Sequence, residues 1–291
     1  MIPPTLSVLV LTHNEQLHIE RCLSSVAGWV DEIFVVDSFS IDRTLEIARS
    51  FGAHVVQHEF RYHAEQKNWA LRNLPITGDW LLLLDADEWV PAELRDEILE
   101  RLRADTGQYD GYWMRYRLIF YGRWIRHCGW YPTWILRLVR RSNARIEDRL
   151  LDEHALVDGN TGRLQHDLIH ENKRDMADWI AKHNRYSSRA AAMTGECSGA
   201  GIQSKFFGNQ AQRKRYIKEK IWPHLPGRAL LYFLYLYVLR LGFLDGQHGL
   251  VFCAMRGVFE QFNTAKTWEL RYLSRACASR AEEQTHSASC D

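Results

Sequence analysis

Three acidic residues follow a short apolar run in the first half of the chain. Residues 81–84 are all Leu, and Asp85, Ala86, Asp87 and Glu88 come directly after them. An apolar run of this length predicts a fully buried strand, so the acids stand at its carboxyl end. Two Asp side chains two positions apart can point the same way and bind a hard divalent cation through oxygen. A solvated loop is the alternative, because a D-x-D pattern is short and common.

Strand and helix patterns alternate through the first hundred residues. The predicted strands are residues 6–11, 33–36, 53–57 and 80–84. Such alternation predicts a parallel sheet with right-handed crossovers, whose strands all end at one edge. We therefore expect Asn14, Glu15 and Asp37 to lie near Asp85 and Asp87. Their meeting at one edge favours a functional site over a loop.

The turn after the first strand reads Thr12, His13, Asn14 and Glu15 and contains no glycine. A dinucleotide site needs the pattern G-x-G-x-x-G at this point, so that the pyrophosphate can approach the helix backbone. The sequence therefore does not predict an NAD site. It does not predict a sugar nucleotidyltransferase either, because the glycine-rich start of that class is absent.

The composition is that of a folded globular protein with little net charge. Of 291 residues 46% are hydrophobic, and 37 basic against 36 acidic residues give a formal charge of +1. No overall field therefore attracts nucleic acid. The six cysteines form no C-x-x-C pair and no cluster with histidine, which argues against zinc and disulfides and favours a reducing, cytosolic setting. We also expect no secretory signal at the N-terminus.

Four short motifs occur in order along this framework. They are Thr12-His13-Asn14-Glu15, Val36-Asp37-Ser38-x-Ser40-x-Asp42-x-Thr44, Gln66-Lys67-Asn68-x-Ala70 and Asp85-Ala86-Asp87-Glu88. The series resembles the family 2 glycosyltransferases of GT-A fold, and the resemblance runs from about residue 5 to about residue 273. Within that family it is most similar to the WaaE-like group of bacterial lipopolysaccharide-core and surface-polysaccharide glucosyltransferases.

The resemblance implies an α/β fold with a Rossmann-like, mostly parallel sheet flanked by helices, and a nucleotide-diphosphate sugar as donor. It places Asp37 near the nucleobase and Asp87 on a metal ion. Glu15 and Lys67 would lie around the nucleotide, and Asp85 would face the ribose or support the ion. The further donor-binding positions that it implies are Thr12, Asn14, Ser38 and Ala86.

A divalent cation, Mg²⁺ or Mn²⁺, is the expected cofactor. The leaving diphosphate develops negative charge, and this sheet edge has no phosphate-binding loop to stabilise it. An ion held by Asp85 and Asp87 would act as the Lewis acid. His170 stands where the group has a recurring His, and its imidazole would ligate the ion or bond the diphosphate. A structural role for His170 is the alternative.

Inverting transfer needs a carboxylate that takes the proton from the attacking acceptor hydroxyl. Glu153 matches the Glu that the family has at this position, whereas Asp152 replaces the His that usually precedes it. Asp152 is therefore a rival base, and an acid pair without a role is the third possibility. Lys182 lies on a predicted helix, where it offers positive charge to the donor phosphates or belongs to a solvated face.

Residues 110–140 change to a pattern of short aromatic and basic strands. These are predicted at 112–117, 124–130 and 134–140, with Gly122 and Gly129 at turns. We expect an antiparallel or mixed region that covers the donor site. Trp130 or Trp134 would either stack on a sugar or pack between half-buried strands.

The last third of the chain is first basic and then apolar. The basic residues are Lys205, Arg213, Lys214, Arg215, Lys218 and Lys220. Residues 229–239 are apolar on every side but too few to cross a bilayer. A basic patch beside aromatic apolar helices predicts docking on an anionic inner leaflet. Burial of the helix against the catalytic domain or in a dimer is the alternative.

We predict a GT-A catalytic domain over 1–200, a helical membrane-proximal region over 201–273 and a disordered tail over 274–291. Residues 1–105 form the nucleotide-sugar-binding half of the domain and 106–200 the acceptor half. The predicted function is inverting transfer of a hexose from a nucleotide sugar, UDP-glucose first, to a lipid-linked or lipopolysaccharide-core saccharide. The protein would be cytoplasmic and peripheral on the inner membrane.

Two other functions are compatible with parts of the pattern. A catalytically inactive relative would bind saccharide or membrane without turnover. A metal-dependent phosphatase of the haloacid dehalogenase type also has an apolar strand ending in D-x-D. That class needs the motif near the first strand, whereas here it ends the fourth. No partner of the nucleic-acid class is expected.

Overall fold

The computed structural model describes residues 4–150, 153–193 and 225–287, together with residues 216 and 222. The chain divides into two compact units, residues 1–174 with 240–250 and residues 175–239 with 251–291. This boundary lies earlier than the predicted one after residue 200, because the sheet ends at residue 171 and only helices follow.

The first unit holds the strands. They are β1 Leu6–Thr12, β2 Glu32–Asp37, β3 His54–Gln57, β4 Trp80–Asp85, β5 Glu88–Trp89, β6 Gly111–Phe120, β7 Arg123–Trp124, β8 Thr133–Arg140, β9 Ala144–Ile146, β10 Ala155–Val157 and β11 Thr161–Glu171. Its helices are α1 Ile19–Val26, α2 Thr44–Ser50, α3 His63–Asn73 and α4 Ala92–Arg103. Single 3₁₀ turns cover Arg141–Asn143 and Gly242–Asp245.

In the part of the chain that the structure describes, nine strands form one sheet. Its order is β3-β2-β1-β4-β8-β6-β11-β5, with β7 paired to β6. The strands from β3 to β4 are parallel, as the βα alternation predicts. Beyond β4 the sheet is mixed, because β8 runs antiparallel to both β4 and β6 while β11 is parallel to β6. The predicted α/β class is confirmed.

Both faces of the central strands are buried, which explains why β1 and β4 are apolar at nearly every position. Side chains at alternate positions of a strand point to opposite faces. On one face Val8, Val10, Leu82 and Leu84 pack with apolar side chains that include those of α1 and α4. On the other face Leu9, Leu11, Leu81 and Leu83 pack with side chains that include Ala64 and Ala70 of α3. Each buried Leu contributes about 1.5–3 kcal/mol, so this sandwich fixes where the polar strand ends emerge.

The register between β6 and β8 shifts by one residue in the middle of the ladder. Tyr112 pairs with Leu138, but the next residue, Trp113, pairs with Leu136. Arg137 is therefore the extra residue of a β-bulge on β8. The flanking side chains pack on different faces, Leu138 in one apolar cluster and Leu136 in the other.

The predicted strand over 124–130 is wrong except at its first residue. Only Arg123–Trp124 is extended and paired. Cys128 and Gly129 have positive φ angles of 58° and 68°, which an extended strand does not tolerate. The buried carboxylate of Asp245 accepts hydrogen bonds from the backbone N–H of His127 at 2.9 Å and of Arg126 at 3.4 Å. These bonds replace the strand ladder. Gly122 and Gly129 do lie at turns with positive φ, as predicted.

The second unit is helical. Its elements are α5 Met176–Met193, α6 Arg228–Leu234, the π-helical segment Tyr235–Leu239 and most of the long helix α7 Gly246–Ser287, whose first residues belong to the first unit. Lys266 of α7 donates to Asn184 and Ser188 of α5. Arg228 of α6 contacts Thr264 and Glu260 of α7, at 2.6 and 3.6 Å.

Two predictions concern this helical region. Residues 274–287 of the predicted disordered tail continue α7 as a helix. Residues 288–291 and the basic residues between 205 and 220 lie outside the described part of the chain. Among the described residues no single helix has the length and apolarity to cross a membrane; residues 228–239 and 242–274 meet that test only together, as a bent pair.

Candidate active site

The carboxyl ends of the parallel strands converge as the sequence predicts. Thr12 of β1 is in register with Asp37 of β2, and Leu11 with Asp85 of β4. The polar residues that follow these strands therefore share one edge of the sheet. This is the edge at which open α/β sheets bind ligands.

Asp37 is a buried carboxylate held by short polar groups. Its Oδ1 accepts a hydrogen bond from Thr12 Oγ1 at 2.9 Å, and its Oδ2 accepts one from the Ser40 backbone N–H at 2.8 Å. The next residue, Ser38, is also buried and accepts a hydrogen bond from Gln66 Nε2 at 2.8 Å. The three predicted donor-binding residues Thr12, Asp37 and Ser38 thus belong to one fixed polar cluster.

Asn14 joins the loops after β1 and β2. Its φ angle is 54°, in the left-handed region that Asn tolerates better than most residues. Its backbone N–H donates to Ser40 Oγ at 2.7 Å, and its Oδ1 accepts from the Ile41 backbone N–H at 2.9 Å. These bonds close the rim of the Asp37 cluster.

Glu15 is engaged by two side chains that the sequence analysis did not connect with it. Its Oε2 lies 2.6 Å from Nδ1 of the buried His18, and its Oε1 accepts from Arg174 Nη2 at 3.0 Å. The other ring nitrogen of His18 accepts the backbone N–H of Lys173 at 2.8 Å. His18 therefore carries its proton on Nδ1, towards Glu15. The end of β11 is fastened to the first βα turn by this chain of contacts.

Lys67 of α3 connects the strand edge with the candidate base. Its Nζ lies 3.1 Å from Glu153 Oε1 and 3.6 Å from Asp85 Oδ1. Only 7% of the Lys67 side chain is exposed, and these two carboxylates are the partners that a buried ammonium needs. The structure thereby brings together residues from three separate predicted motifs.

Arg137 holds two acids of the Asp85-Ala86-Asp87-Glu88 turn. Its Nη2 lies 2.6 Å from Asp85 Oδ2 and 2.6 Å from Glu88 Oε1. The other oxygen of Glu88 accepts the backbone N–H of Asp85 at 2.9 Å. Burial raises the pKa of Glu88 to about 7 against the influence of Arg137. Burial also works against the charge of Asp85, but Arg137 and Lys67 hold the pKa of Asp85 well below its usual value.

Asp87 faces His170, a residue that the resemblance paired with the metal. Asp87 Oδ1 lies 3.3 Å from His170 Nδ1, and Asp87 Oδ2 accepts from Asn172 Nδ2 at 3.2 Å. The antiparallel pairing of β11 with β5, in which His170 is opposite Glu88, produces this contact. The ring of Tyr116 lies 5.1 Å from that of His170, and burial followed by the nearby acids raises the Tyr116 pKa well above its usual value.

The side chains at this point include donor atoms of the kinds that divalent cations bind. Among the described residues no group of three or more His, Cys, Asp or Glu side chains could hold a metal ion. Asp87 and His170 offer one oxygen and one nitrogen at a separation suited to two ligands of one ion. Asp85, the other predicted ligand, is in contact with Arg137 and Lys67 instead.

The remaining predicted site residues are Ala86, Lys182 and Asp152. Ala86 is buried in the apolar cluster beneath the turn. Lys182 belongs to α5 in the second unit, where its Nζ lies 5.7 Å from the Tyr186 ring. Asp152 lies outside the described residues. The Arg163 guanidinium lies 4.9 Å from the ring centre of Trp134.

Sequence reasoning did not select Arg137, Glu88, His18 or Arg174. A charged residue inside the apolar run of β8 was a signal for Arg137, since a buried Arg needs acidic partners. Glu88 stood within the quoted acidic motif. Nothing local pointed to Arg174, whose contact with Glu15 joins residues 159 positions apart.

The profile of glycosyl transferase family 2 matches residues 7–166, more than half of the chain. The chain belongs to this family. The match covers the sheet edge and every contact of Lys67 and Arg137 described above. The mixed α/β sheet flanked by helices is that of the predicted GT-A fold.

Several curated relatives are glycosyltransferases by name. An uncharacterized glycosyltransferase of Rickettsia bellii is 41% identical over 98 residues, which are 34% of this chain and 33% of the relative. A prophage-derived glycosyltransferase of Bacillus subtilis is 31% identical over 105 residues, or 35% of this chain and 24% of the relative. The matched segment spans about a third or less of the length of these relatives.

Solved structures with a similar course of the chain include two sugar transferases. A mannosyltransferase from Pyrobaculum calidifontis, in complex with GDP-mannose and Mn²⁺, is 17% identical with a TM-score of 0.47, covering 92% of this chain and 88% of that one. Glucosyl-3-phosphoglycerate synthase from Mycobacterium tuberculosis, in complex with Mn²⁺, UDP and glucosyl-3-phosphoglycerate, is 19% identical with a TM-score of 0.42, covering 69% and 84%.

Proposed function

We propose that this family member is an inverting hexosyltransferase that uses a nucleotide-diphosphate sugar, with UDP-glucose as the first candidate. The observation that carries the proposal is the position of Lys67, whose ammonium lies between Asp85 at the strand edge and Glu153. This contact supports Glu153 as the base, beside the edge at which a donor would bind. Following the WaaE-like resemblance, the proposed acceptor is a lipid-linked saccharide of lipopolysaccharide or surface-polysaccharide synthesis.

The nucleotide would occupy the cluster around Asp37. A buried carboxylate at the end of β2 is an acceptor for the N–H groups of a nucleobase, and Thr12 and Ser40 hold it in place. Asn14 fixes the neighbouring loop. Specificity for one base would therefore depend on a preformed acceptor, which costs little reorganisation on binding.

The sugar diphosphate would extend from this cluster towards Asp87. Asp87 and His170 would hold a divalent cation, Mn²⁺ or Mg²⁺, which supplies positive charge for the leaving diphosphate. Arg137 contacts Asp85 and Glu88 beside it. Lys67 adds a second fixed positive charge at the same edge.

The transfer would be a single displacement. The acceptor hydroxyl attacks the anomeric carbon, the bond from that carbon to the diphosphate oxygen breaks, and the hydroxyl proton passes to Glu153. Attack opposite the leaving group inverts the anomeric centre. Lys67 orients Glu153 and remains paired with Asp85 once Glu153 is neutral.

A membrane surface is the proposed partner of the second unit. Leu230, Leu239 and Trp268 of that unit expose 63%, 73% and 66% of their surface. Residues 229–244 contain no acidic side chain. Exposed apolar side chains in a segment without acidic residues suit an anionic lipid surface. The proposed setting is therefore the cytoplasmic face of an inner membrane.

A donor screen tests the proposed activity. Purified protein is incubated with Mn²⁺ and each of several UDP- and GDP-sugars, and released UDP or GDP is measured. We expect Mn²⁺-dependent release from one donor and its loss in Asp87→Asn. Asp96→Asn is the matched control, because Asp96 is an exposed acid paired with Arg95 on the surface of α4. Absence of release from every donor would instead favour a catalytically inactive relative.

A further inference from the structure

The bulge on β8 presents a guanidinium to the acidic turn after β4. In a regular antiparallel ladder each residue of β8 would have one partner on β6. Here two successive residues of β6, Tyr112 and Trp113, pair with Leu138 and Leu136, so Arg137 is left over. Bulges re-aim side chains and are frequent beside active sites. Arg137 is the residue that this bulge re-aims.

We propose that Arg137 is a positioning residue that sets the geometry of the Asp85-Ala86-Asp87-Glu88 turn and thereby aims Asp87 at the cation. This inference rests on the proposed function, in which Asp87 and His170 hold that cation. Arg137 itself would touch neither the cation nor the donor. It would act through Asp85 and Glu88, each 2.6 Å from its Nη2.

The contacts form a continuous path from the bulge to the turn. Arg137 holds Glu88, and Glu88 accepts the backbone N–H of Asp85 at 2.9 Å, which closes the turn across its base. Arg137 also holds the side chain of Asp85, so both ends of the turn are tied to one guanidinium. Asp87 lies between these two ends and faces His170 at 3.3 Å.

The contacts of Arg137 also affect the electrostatic repulsion within the turn. Asp85, Asp87 and Glu88 are three acidic residues within four positions. Without a positive charge nearby, repulsion between their carboxylates would open the turn. Arg137 contacts two of them and places a positive charge between their carboxyl groups. Asp85 also contacts Lys67, and Lys67 contacts Glu153. These side chains of alternating charge link the turn to the candidate base.

Arg137 is not placed there to complete ordinary packing. Its Nε is buried and has no hydrogen-bond partner in the part of the chain that the structure describes. A buried donor without a partner is costly and uncommon in native proteins. Such a cost is expected where function, rather than stability, selects the residue.

The experiment compares Arg137→Gln with Arg140→Gln. Arg140 lies on the same strand, is also mostly buried, and bonds Asp105 at 2.8 Å, far from the acidic turn. Thermal unfolding measures stability, and calorimetry measures binding of Mn²⁺ alone and of UDP with Mn²⁺, with GDP if the donor screen selects it. We expect Arg137→Gln to weaken nucleotide binding with Mn²⁺ about 10–100-fold, as loss of partners that orient metal ligands does. Arg140→Gln should lose stability but bind like the wild type.

Arg137→Lys keeps the test decisive if the Gln variant does not fold. Lysine retains the charge but ends in a compact ammonium on a flexible stem, so it cannot hold both acids in one fixed geometry. We expect it to fold and to bind at an affinity between wild type and Arg137→Gln. Binding by the folded Arg137 variants equal to that of Arg140→Gln overturns the inference alone. A wild type that binds neither UDP nor GDP with Mn²⁺ overturns the proposed function and, with it, this inference.

Discussion

Lys67 is the residue at which the two parts of the candidate site meet. It is buried, and its ammonium contacts Asp85 on one side and Glu153 on the other. An ion pair does not by itself make Glu153 a base. It does hold the carboxylate at the edge of the sheet, which is where proton transfer from an acceptor would take place.

Replacement of Glu153 by Gln tests its role as the base. The amide keeps the size of the side chain but cannot accept a proton, so transfer should fall by about 10²- to 10⁴-fold. Binding of the donor, measured by calorimetry, should remain. Asp158→Asn is the control. Asp158 lies five positions after Glu153 and is an exposed acid paired with Arg145.

Near-normal transfer by Glu153→Gln would contradict this assignment. The rival acid is Asp152. Loss of transfer in Asp152→Asn, with donor binding intact, would then assign the role of base to Asp152. Both variants are assayed with the donor that the screen identifies.

At the scale of elements, α5 carries a histidine that should make the protein sensitive to acid. The His183 ring stacks on Trp179 at 3.5 Å and lies 5.0 Å from Phe259, and its Nδ1 bonds the Trp179 carbonyl oxygen at 2.9 Å. Burial, followed by the positive charges of Arg256 and Lys182, lowers the pKa of His183 to about 4, against the effect of the Trp179 carbonyl.

The sign of the effect follows from the two pKa values. The unfolded chain has a His pKa of about 6.5, so between pH 6.5 and about 4 the unfolded state binds a proton that the folded state does not. Stability is therefore full above pH 6.5 and is lost as the pH falls through this window. We expect a loss of the order of 1 kcal/mol between pH 7 and pH 5, allowing for partial exposure of the ring.

Urea unfolding at pH 7 and pH 5 measures this loss. His183→Gln cannot titrate, so its decrease in unfolding free energy over the same range should be smaller than that of the wild type. His54→Gln, at an exposed position on β3, should behave like the wild type. Equal decreases for the wild type and His183→Gln would show that other groups cause the acid sensitivity.

The strands also show where the local sequence pattern predicts the structure and where it does not. Strands β1, β2 and β4 match the predicted apolar runs, because burial on both faces demands apolar residues at successive positions. The strand predicted over 124–130 fails because Asp245, far along the chain, takes the backbone N–H groups that a neighbouring strand would need. Aromatic and basic composition alone does not reveal that competition.

At the scale of the whole molecule, the proposed membrane docking would depend on the second unit. The double variant Leu230→Ser and Leu239→Ser removes two exposed apolar side chains. We expect its binding to vesicles of anionic lipid to fall by about tenfold or more, because each inserted Leu contributes more than 1 kcal/mol. Flotation of the protein with vesicles measures the bound fraction.

The control is Leu17→Ser, which replaces an exposed Leu of the first unit. It should leave flotation unchanged. Vesicles of zwitterionic lipid should bind all variants more weakly, since basic residues add affinity only on an anionic surface. Equal flotation of wild type and double variant would contradict docking through these residues and leave packing or self-association as their use.

The sequence by itself determined the alternating elements, the acidic strand ends and their meeting at one edge, because these depend on local apolar patterns and on the handedness of βαβ crossovers. Only the tertiary structure decided which basic side chain contacts which acidic side chain. Arg137 and Asp85 are 52 positions apart, and Lys67 and Glu153 are 86 apart. Such contacts depend on strand order and register, and a single extra residue in β8 redirects a side chain from one face of the sheet to the other.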